Sequence, residues 1–141
     1  MLPDIYFQTH LEQVSVEQLE GFFQGWPTAP DAHTLYRILD KSHYRVLARS
    51  TETGQVVGFI NAITDQVFYA YIPLLEVLPN YQKQGIGEAL IQRMKALLAS
   101  FYAIDLCCDH ALCAYYERQG FHPVSGMILR NYEHQTGRSL I

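Results

Sequence analysis

A pair of glycines at the expected start of a helix is the feature of this sequence with the clearest chemical meaning. Residues 75–90 read LEVLPNYQKQGIGEAL, in which an apolar segment leads through a short loop to Gly85 and Gly87. Glycine lets a backbone approach a ligand closely, and the first amides of a helix lack partners within it and lie at the positive end of its dipole. The pattern therefore predicts a site for a phosphate or pyrophosphate group, to which Lys83 adds a positive charge.

The spacing of the residues in this segment distinguishes between the known phosphate-binding motifs. The nucleotide-binding P-loop needs GxxxxGK followed by Ser or Thr, which the sequence lacks, and the dinucleotide motif GxGxxG would need glycine where Leu90 stands. The pattern L-x-V-x-P-x-x-(Q/R)-x-x-G-x-G does match, with its fixed positions filled by Leu75, Val77, Pro79, Gln82, Gly85 and Gly87. This is the coenzyme A-binding signature of the Gcn5-related N-acetyltransferase (GNAT) superfamily, which the chain therefore resembles.

A second segment is similar to the same family. Residues 109–121, DHALCAYYERQGF, resemble its later motif N-x-x-A-x-x-(F/L)-Y-(E/x)-(K/R)-x-G-F, with Asp109 in place of the usual asparagine and Leu112 in place of the usual alanine. The resemblance extends over roughly residues 46–132, and the first ~45 residues agree in the order of their elements. It implies one N-acetyltransferase domain over residues 1–141, with an α/β fold: a mixed, mostly antiparallel twisted sheet, helices on both faces, and splayed central strands.

The resemblance also implies the co-substrate, acetyl-coenzyme A, and an amine acceptor that attacks the thioester directly in a ternary complex. The pantetheine arm would lie between the splayed strands, where backbone groups of Val77 and Leu78 would bind it and an amide could stabilise the oxyanion. Asp109 would also contact the cofactor. The pyrophosphate would lie on the helix-start residues Gln82, Lys83, Gln84, Gly85, Ile86, Gly87 and Glu88.

Two residues are expected to move protons. Tyr116 matches the family tyrosine that protonates the departing thiolate, and a phenol with a pKa near ~10 suits that leaving group; an ordinary helix tyrosine between core and solvent is the alternative. Glu76 is the best-placed carboxylate for a general base. Strand alternation puts it opposite Leu75 and Val77, although a bulge could re-aim it.

Other readings of these residues stay open at this stage. An exposed or ion-paired glutamate explains Glu76 equally well, and Tyr71, His43 and His110 are weaker candidates for the base. The segment containing Phe22, Phe23, Trp26 and Pro27 either lines the acceptor pocket or, for the two phenylalanines, packs in the core. A coenzyme A-binding sensor without catalysis and a nucleotide-binding regulatory domain are the alternative functions.

The surrounding elements follow from hydrophobic periodicity and turn residues. Ser15 and Gln18 form the residue pattern of a capping box, and Asp31 is placed to cap a second helix. Pro73 must interrupt strand pairing because it has no N–H, and Asp109 is placed to cap the last helix. Strands are expected at residues 5–8, 44–50, 55–64, 67–78, 103–108 and 127–132, and helices at 15–24, 31–41, 86–100 and 109–120.

Composition and charge argue against several classes of partner. The net charge of -4 and the lack of a Lys- or Arg-rich run disfavour nucleic-acid binding. No apolar run approaches the ~20 residues of a membrane span, and no signal-peptide pattern begins the sequence, so we expect a cytoplasmic protein. Cys107, Cys108 and Cys113 suggest buried thiols, with no disulfide and no metal site. A homodimer is the default expectation for a small soluble enzyme.

Overall fold

Six strands and three α-helices make up the regular structure of residues 4–138, which are the residues that this computed structural model describes. The strands are β1 (Ile5–Gln8), β2 (Tyr44–Ser50), β3 (Val56–Thr64), β4 (Tyr69–Tyr71), β5 (Leu75–Val77) and β6 (Ala103–Asp105). The helices are α1 (Ala32–Lys41), α2 (Ile86–Leu97) and α3 (Cys113–Arg118). Single 3₁₀ turns occur at Val16–Leu19, Pro79–Tyr81, His110–Leu112 and Tyr132–His134.

The strands form one open, mostly antiparallel sheet. Its order is β1-β2-β3-β4-β6, and β5 pairs with β3 beside β4. All pairings are antiparallel except the one between β4 and β6, which is parallel because α2 crosses over between β5 and β6. This sheet confirms the mixed α/β fold that the sequence indicated.

Helices cover both faces of the sheet because consecutive strand residues point to opposite sides. In β2, Val46 belongs to the core under α2, whereas Leu47 belongs to the core under α1, and both are fully buried. The α2 side contains Leu90 and Met94 of that helix, together with partly buried residues of α3. The two layers fix α2 on one face and the segment before α1 on the other.

Pro73 divides the long strand that the sequence predicted over residues 67–78 into β4 and β5. The side chain of Asn61, which is 1% exposed, bridges the break in the ladder. Its Oδ1 accepts from the Leu74 amide at 3.1 Å, its Nδ2 donates to the Ser42 hydroxyl at 3.0 Å, and its amide donates to the Leu74 carbonyl at 3.2 Å. The interruption expected at Pro73 is confirmed, and a buried amide side chain replaces the missing ladder bonds.

Replacing Asn61 with alanine should lower the free energy of unfolding by about 1–3 kcal/mol, because the partly buried Leu74 amide then loses its acceptor. Urea denaturation monitored by circular dichroism measures this change. Asn80→Ala is the matched control, since Asn80 is exposed and its side chain makes no hydrogen bond to any residue between 4 and 138. A loss no larger in Asn61→Ala than in Asn80→Ala would contradict the bridging role.

The predicted helix over residues 15–24 is wrong beyond its first turn. The capping box expected at Ser15 and Gln18 is present, and the Gln18 side chain accepts from the Ser15 amide at 3.0 Å. The 3₁₀ turn ends at Leu19, and Gly21 and Phe23 then adopt positive φ angles of +99° and +65°. These angles are incompatible with a right-handed helix.

Three further predictions near the C-terminus need correction. The helix expected from residue 109 is a 3₁₀ turn followed by α3, and Asp109 makes no side-chain cap bond. Cys107 and Cys108 are exposed rather than buried, because the strand before them ends at Asp105. The strand expected over residues 127–132 is absent: within residues 4–138, nothing pairs with this segment, and a strand needs a partner.

The cap expected at Asp31 is confirmed, since its carboxylate accepts from the Thr34 amide at 2.8 Å. Among the described residues, no helix is long and apolar enough to cross a membrane. No group of three or more His, Cys, Asp or Glu side chains between residues 4 and 138 is arranged to hold a metal ion.

Candidate functional site

The sheet opens into a gap between β5 and β6. The parallel pairing of β4 with β6 ends at Tyr71 opposite Asp105, after which the Ile72 amide donates to the Asp105 carbonyl at 2.9 Å. Past Pro73 the chain pairs with β3 alone, where Val77 lies opposite Gly58. In the described part of the chain, no strand pairing joins β5 to β6. The splayed central strands implied by the resemblance are therefore present.

The free edge of β5 presents backbone groups to this gap. The Leu78 amide donates to the Val57 carbonyl at 2.8 Å, so Leu78 is occupied within the antiparallel ladder. Because hydrogen-bonding direction alternates along such a ladder, the N–H and C=O of Val77 point away from β3 and toward the gap. The Val77 carbonyl accepts from the Gln82 side chain at 2.9 Å, which leaves the Val77 amide available to a ligand.

The loop before α2 presents a run of free amides at one end of the gap. Lys83 and Gly85 have positive φ angles of +62° and +88°, and the first helical bond runs from the Ala89 amide to the Gly85 carbonyl at 3.0 Å. Within residues 4–138, the backbone amides of residues 83–88 donate to no other group. Unpaired amides of this kind at the positive end of a helix dipole can bind an anion such as a phosphate.

Gly87 lets three elements meet at this turn. A Cβ atom at position 87 would lie 3.0 Å from the Tyr115 hydroxyl oxygen of α3 and 3.8 Å from Val77 Cγ2 of β5. Burial raises the pKa of Tyr115, and nearby Glu88 raises it further, so its hydroxyl stays protonated beside the free amides. Sequence reasoning missed Tyr115, although its place directly before Tyr116 on the same short helix could have indicated it.

Tyr116 lies on α3 with its ring against the apolar core. It packs edge-on against Tyr115 and Phe121, with centroid distances of 5.2 and 6.0 Å. Burial, with smaller contributions from Tyr115 and Cys108, raises its pKa to about 12. Its hydroxyl makes no hydrogen bond among residues 4–138, and its oxygen is not completely buried. The phenol is therefore a protonated donor without a partner among the described residues.

Glu76 points to the opposite side of β5 from Leu75 and Val77, as strand alternation predicted. Its half-buried carboxylate accepts from the Phe23 amide at 2.9 and 2.8 Å and from the Gln24 amide at 3.4 Å. Burial raises its pKa, and the two amides partly offset that effect. Within the described chain no cation lies within ion-pair distance of it, so it is neither exposed nor ion-paired.

The amides that bind Glu76 explain the irregular segment before α1. Both phenylalanines pack in the core, as one reading of the sequence had it: Phe22 packs edge-on against Phe59 at 5.0 Å, and the buried Phe23 packs against Trp26 at 4.8 Å. Trp26 is 41% exposed. Long-range capture of the Phe23 amide by Glu76 thus places an aromatic pair beside the carboxylate, on the face of β5 away from α2.

The weaker candidates for a general base either make hydrogen bonds to other groups or lie on another part of the surface. His43 Nδ1 accepts from the Thr64 amide at 3.1 Å, which is a structural bond. Tyr71 contacts Cys107, and this hydrogen bond, followed by burial, raises the pKa of the phenol to about 12. His110 and Asp109 are exposed at the 3₁₀ turn before α3.

A family sequence profile and several solved structures all relate this chain to the same family. The sequence profile of the acetyltransferase (GNAT) family matches residues 11–121 and so begins upstream of the motifs. A crystal structure of a candidate acetyltransferase from Deinococcus radiodurans R1 is 44% identical, with a TM-score of 0.94 and coverage of 99% of both chains. A GNAT family acetyltransferase from Streptococcus pneumoniae TIGR4 is 27% identical, with a TM-score of 0.72, and covers 90% of this chain and 98% of its own.

Curated relatives agree at lower identity. Aminoglycoside N(6')-acetyltransferase type 1 from Acinetobacter genomosp. 13 is 25% identical over 118 residues, which are 73% of this chain and 81% of that protein. Other relatives are longer proteins, of which this chain spans 27% to 33%. The family profile covers well over half of the sequence, and the fold matches throughout. The chain therefore belongs to the GNAT family of acetyltransferases and is an N-acetyltransferase.

Proposed function

We propose that this chain transfers the acetyl group of acetyl-coenzyme A to the primary amine of a small molecule or peptide, by direct attack in a ternary complex. The observation that carries the proposal is the run of free amides at residues 83–88, which lies at the end of the gap between β5 and β6. The family uses acetyl-coenzyme A as co-substrate. The free amides thus suit the anionic pyrophosphate of that molecule, and the adjacent gap suits its extended pantetheine arm.

The proposed binding mode uses backbone groups for most contacts. The pyrophosphate lies on the residues from Gln82 to Glu88, with Lys83 adding charge, and the pantetheine arm follows the open edge of β5 at Val77. Leu78 and Asp109 flank this path. Because the free Val77 amide points into the gap, it is the donor that we assign to the oxyanion of the attacked thioester.

The proposed reaction places acid and base on opposite sides of β5. Glu76 accepts a proton from the attacking amine, directly or through water, and the nitrogen lone pair forms a bond to the thioester carbon. The resulting oxyanion collapses and breaks the carbon–sulfur bond, and Tyr116 donates its proton to the departing thiolate. A phenol with its pKa raised to about 12 remains protonated at neutral pH and can serve each turnover.

The acceptor proposed is a cationic amine. The net charge of -4 favours approach of cations, and the relative from Acinetobacter is, by its name, an aminoglycoside N(6')-acetyltransferase. The exposed face of Trp26, which packs on the buried Phe23, supplies an apolar surface for the acceptor. Aminoglycosides, polyamines and peptides with a free α-amino group are the amines to test first.

The test is release of coenzyme A thiol from acetyl-coenzyme A across this amine panel, with acetylated product identified by mass spectrometry. We expect turnover with at least one cationic amine above the rate of hydrolysis. Saturable binding of acetyl-coenzyme A without turnover on any amine would favour a sensor. Stabilisation by ATP in preference to acetyl-coenzyme A would favour a nucleotide-binding regulatory domain.

Replacing Gly85 with alanine should raise the Kd for acetyl-coenzyme A about 10-fold. A non-glycine residue at a φ of +88° costs roughly 1–3 kcal/mol, and relief of that strain turns the neighbouring amides away from the phosphates. Isothermal titration calorimetry measures the change. Gly25→Ala is the control, because Gly25 has a φ of +84° and no atom within 4 Å of an added Cβ. Equal affinity of the two variants would contradict the proposed site.

A further inference from the structure

The segment between the first 3₁₀ turn and α1 contains a phenylalanine in a backbone conformation that it does not favour. Phe23 has a φ of +65°, in the left-handed region that bulky residues rarely adopt. Strain of this kind persists only where the surrounding structure enforces it, and it is concentrated at functional sites. Some group in the structure must therefore keep Phe23 in this conformation.

The carboxylate of Glu76 is that group. Both of its oxygens accept from the Phe23 amide, at 2.9 and 2.8 Å, and one also accepts from the Gln24 amide at 3.4 Å. Glu76 lies within β5, so the sheet fixes the position of the acceptor. Hydrogen bonds to an ionised acceptor are roughly twice as strong as those between neutral groups. The restraint on Phe23 therefore depends on the charge of Glu76.

Trp26 is the part of this segment that is free to move. The Phe23 ring is 4% exposed and packs in the core, whereas the indole that lies against it, at 4.8 Å, is 41% exposed. The Trp26 amide donates to the Phe23 carbonyl at 3.3 Å. A change in the Phe23 backbone is therefore transmitted to Trp26, even while the Phe23 ring stays in the core.

The titration of Glu76 is set by its immediate surroundings. Burial raises its pKa and the amides of Phe23 and Gln24 lower it, and no titratable side chain of residues 4–138 shifts it. Across the sheet, β3 places the apolar Phe59 opposite Glu76. The charge of Glu76 thus changes in a single step, at a pH above the usual ~4.3 of a glutamate.

Two other acids lie near the segment. Glu20 and Asp31 line the same small cavity as Phe23. Hydrogen bonds from Thr34 and Arg138 hold the pKa of Asp31 well below its usual range, so Asp31 changes its charge at a lower pH than Glu76 does. Glu20 is exposed and is the acid that an experiment must distinguish from Glu76.

We propose that ionised Glu76 acts as a latch that holds Trp26 against Phe23, and that protonation of Glu76 releases the indole. A neutral carboxyl is a weaker acceptor, so the Phe23 backbone relaxes and Trp26 turns toward solvent. Because the bound amides favour the ionised form, the proton in turn favours the released state.

The latch deepens the proposed function, and this one consequence rests on it. The proton that Glu76 takes from the attacking amine opens the acceptor side of β5 after each transfer, so that the acetylated product can leave. Glu76 then gives that proton to water, and the ionised carboxylate closes the latch again. In the free protein, the response of Trp26 to the charge of Glu76 needs neither acetyl-coenzyme A nor an amine.

Fluorescence of the unmodified protein tests the latch, because Trp26 is the only tryptophan in the sequence. Quenching of the indole by acrylamide, an uncharged quencher, is measured from pH ~4 to ~8 without ligands, with circular dichroism to show that the fold is retained. A carboxyl group is ionised above its pKa, so quenching should be low at neutral pH. It should rise by up to about two-fold, from an exposed fraction of 41% toward full exposure, as the pH falls through the raised pKa of Glu76.

Variants assign the change to one group. Glu76→Gln should remove the pH dependence, because glutamine does not titrate and still accepts one amide bond, whereas Glu20→Gln should retain it. The chemical shift of the Phe23 amide proton in ¹⁵N-labelled wild-type protein needs no variant. It should move upfield as the pH falls, with the same apparent pKa as the quenching.

Three results would overturn the latch. They are quenching that does not change with pH, a Phe23 amide that titrates while Trp26 does not respond, and a pH dependence that survives in Glu76→Gln or disappears in Glu20→Gln. Each is obtained without substrates, so a failed latch leaves acetyl transfer untouched, and a protein without turnover can still show the latch.

Discussion

Replacing Tyr116 with phenylalanine is expected to lower kcat for acetyl transfer by about 10²-fold, the lower end of what a positioned general acid contributes. The phenyl ring keeps the edge-on packing with Tyr115 and Phe121, so the variant removes a proton donor and little else. Without that donor, coenzyme A leaves as a thiolate. Steady-state kinetics with the best amine of the panel measures the loss, and KM for acetyl-coenzyme A should change little.

The pH dependence gives an independent test of the same role. Because the pKa of Tyr116 is raised to about 12, the acid stays protonated across the usable pH range, and wild-type kcat should show no decline on the alkaline side from this group. Tyr102→Phe is the matched control, since Tyr102 is 82% exposed. If Tyr116→Phe keeps most of its activity, Tyr116 is not the acid. An alkaline decline near pH ~9 that this substitution alone removes would instead contradict the raised pKa of Tyr116.

Replacing Glu76 with glutamine should lower kcat/KM for the amine about 10²-fold and abolish the acid-side dependence of the rate. A carboxylate must be ionised to accept a proton, so activity rises with pH through its pKa. Burial raises the pKa of Glu76, so this rise should lie above the usual ~4.3 of a glutamate. Glutamine matches the size of the side chain but accepts no proton, and the rise should therefore vanish.

Glu76 also positions the backbone of Phe23 and Gln24, and the experiment must separate this structural role from that of a general base. Its carboxylate also holds the Phe23 and Gln24 amides, and glutamine can still accept one of those bonds. If positioning of the aromatic segment were its whole role, Glu76→Gln would raise KM for the amine and leave the pH profile of kcat unchanged. That outcome would assign the base elsewhere. Affinity for acetyl-coenzyme A should be the same in both proteins.

Features that depend on local chemistry were predictable from the sequence. The helix start at Gly85 and Gly87 follows because glycine adopts a positive φ angle and allows close approach of other groups without strain. The break at Pro73 follows from its missing N–H. The cap at Asp31 and the β2–β3 hairpin likewise depend on residues close in sequence. For the same reason, strand alternation gave the correct side of β5 for Glu76.

Features set by distant contacts were not predictable in this way. The helix expected at residues 15–24 ends early while Glu76, 53 residues beyond Phe23, holds the Phe23 amide. Periodicity also gave no sign that the Asn61 side chain would replace a ladder bond, or that the Tyr115 hydroxyl would lie over Gly87. The strand expected at residues 127–132 has the right composition, but a single described chain offers it no partner.

The central claim is that the amides of residues 83–88 hold the pyrophosphate of acetyl-coenzyme A. Titration of ¹⁵N-labelled protein with coenzyme A, followed by amide chemical shifts, tests it most directly. The account predicts saturable shifts that are largest at residues 83–88 and at Val77, and a much weaker response at residues 83–88 to pantetheine, which lacks the pyrophosphate. Absence of saturable shifts, or a maximum at another surface, would contradict it.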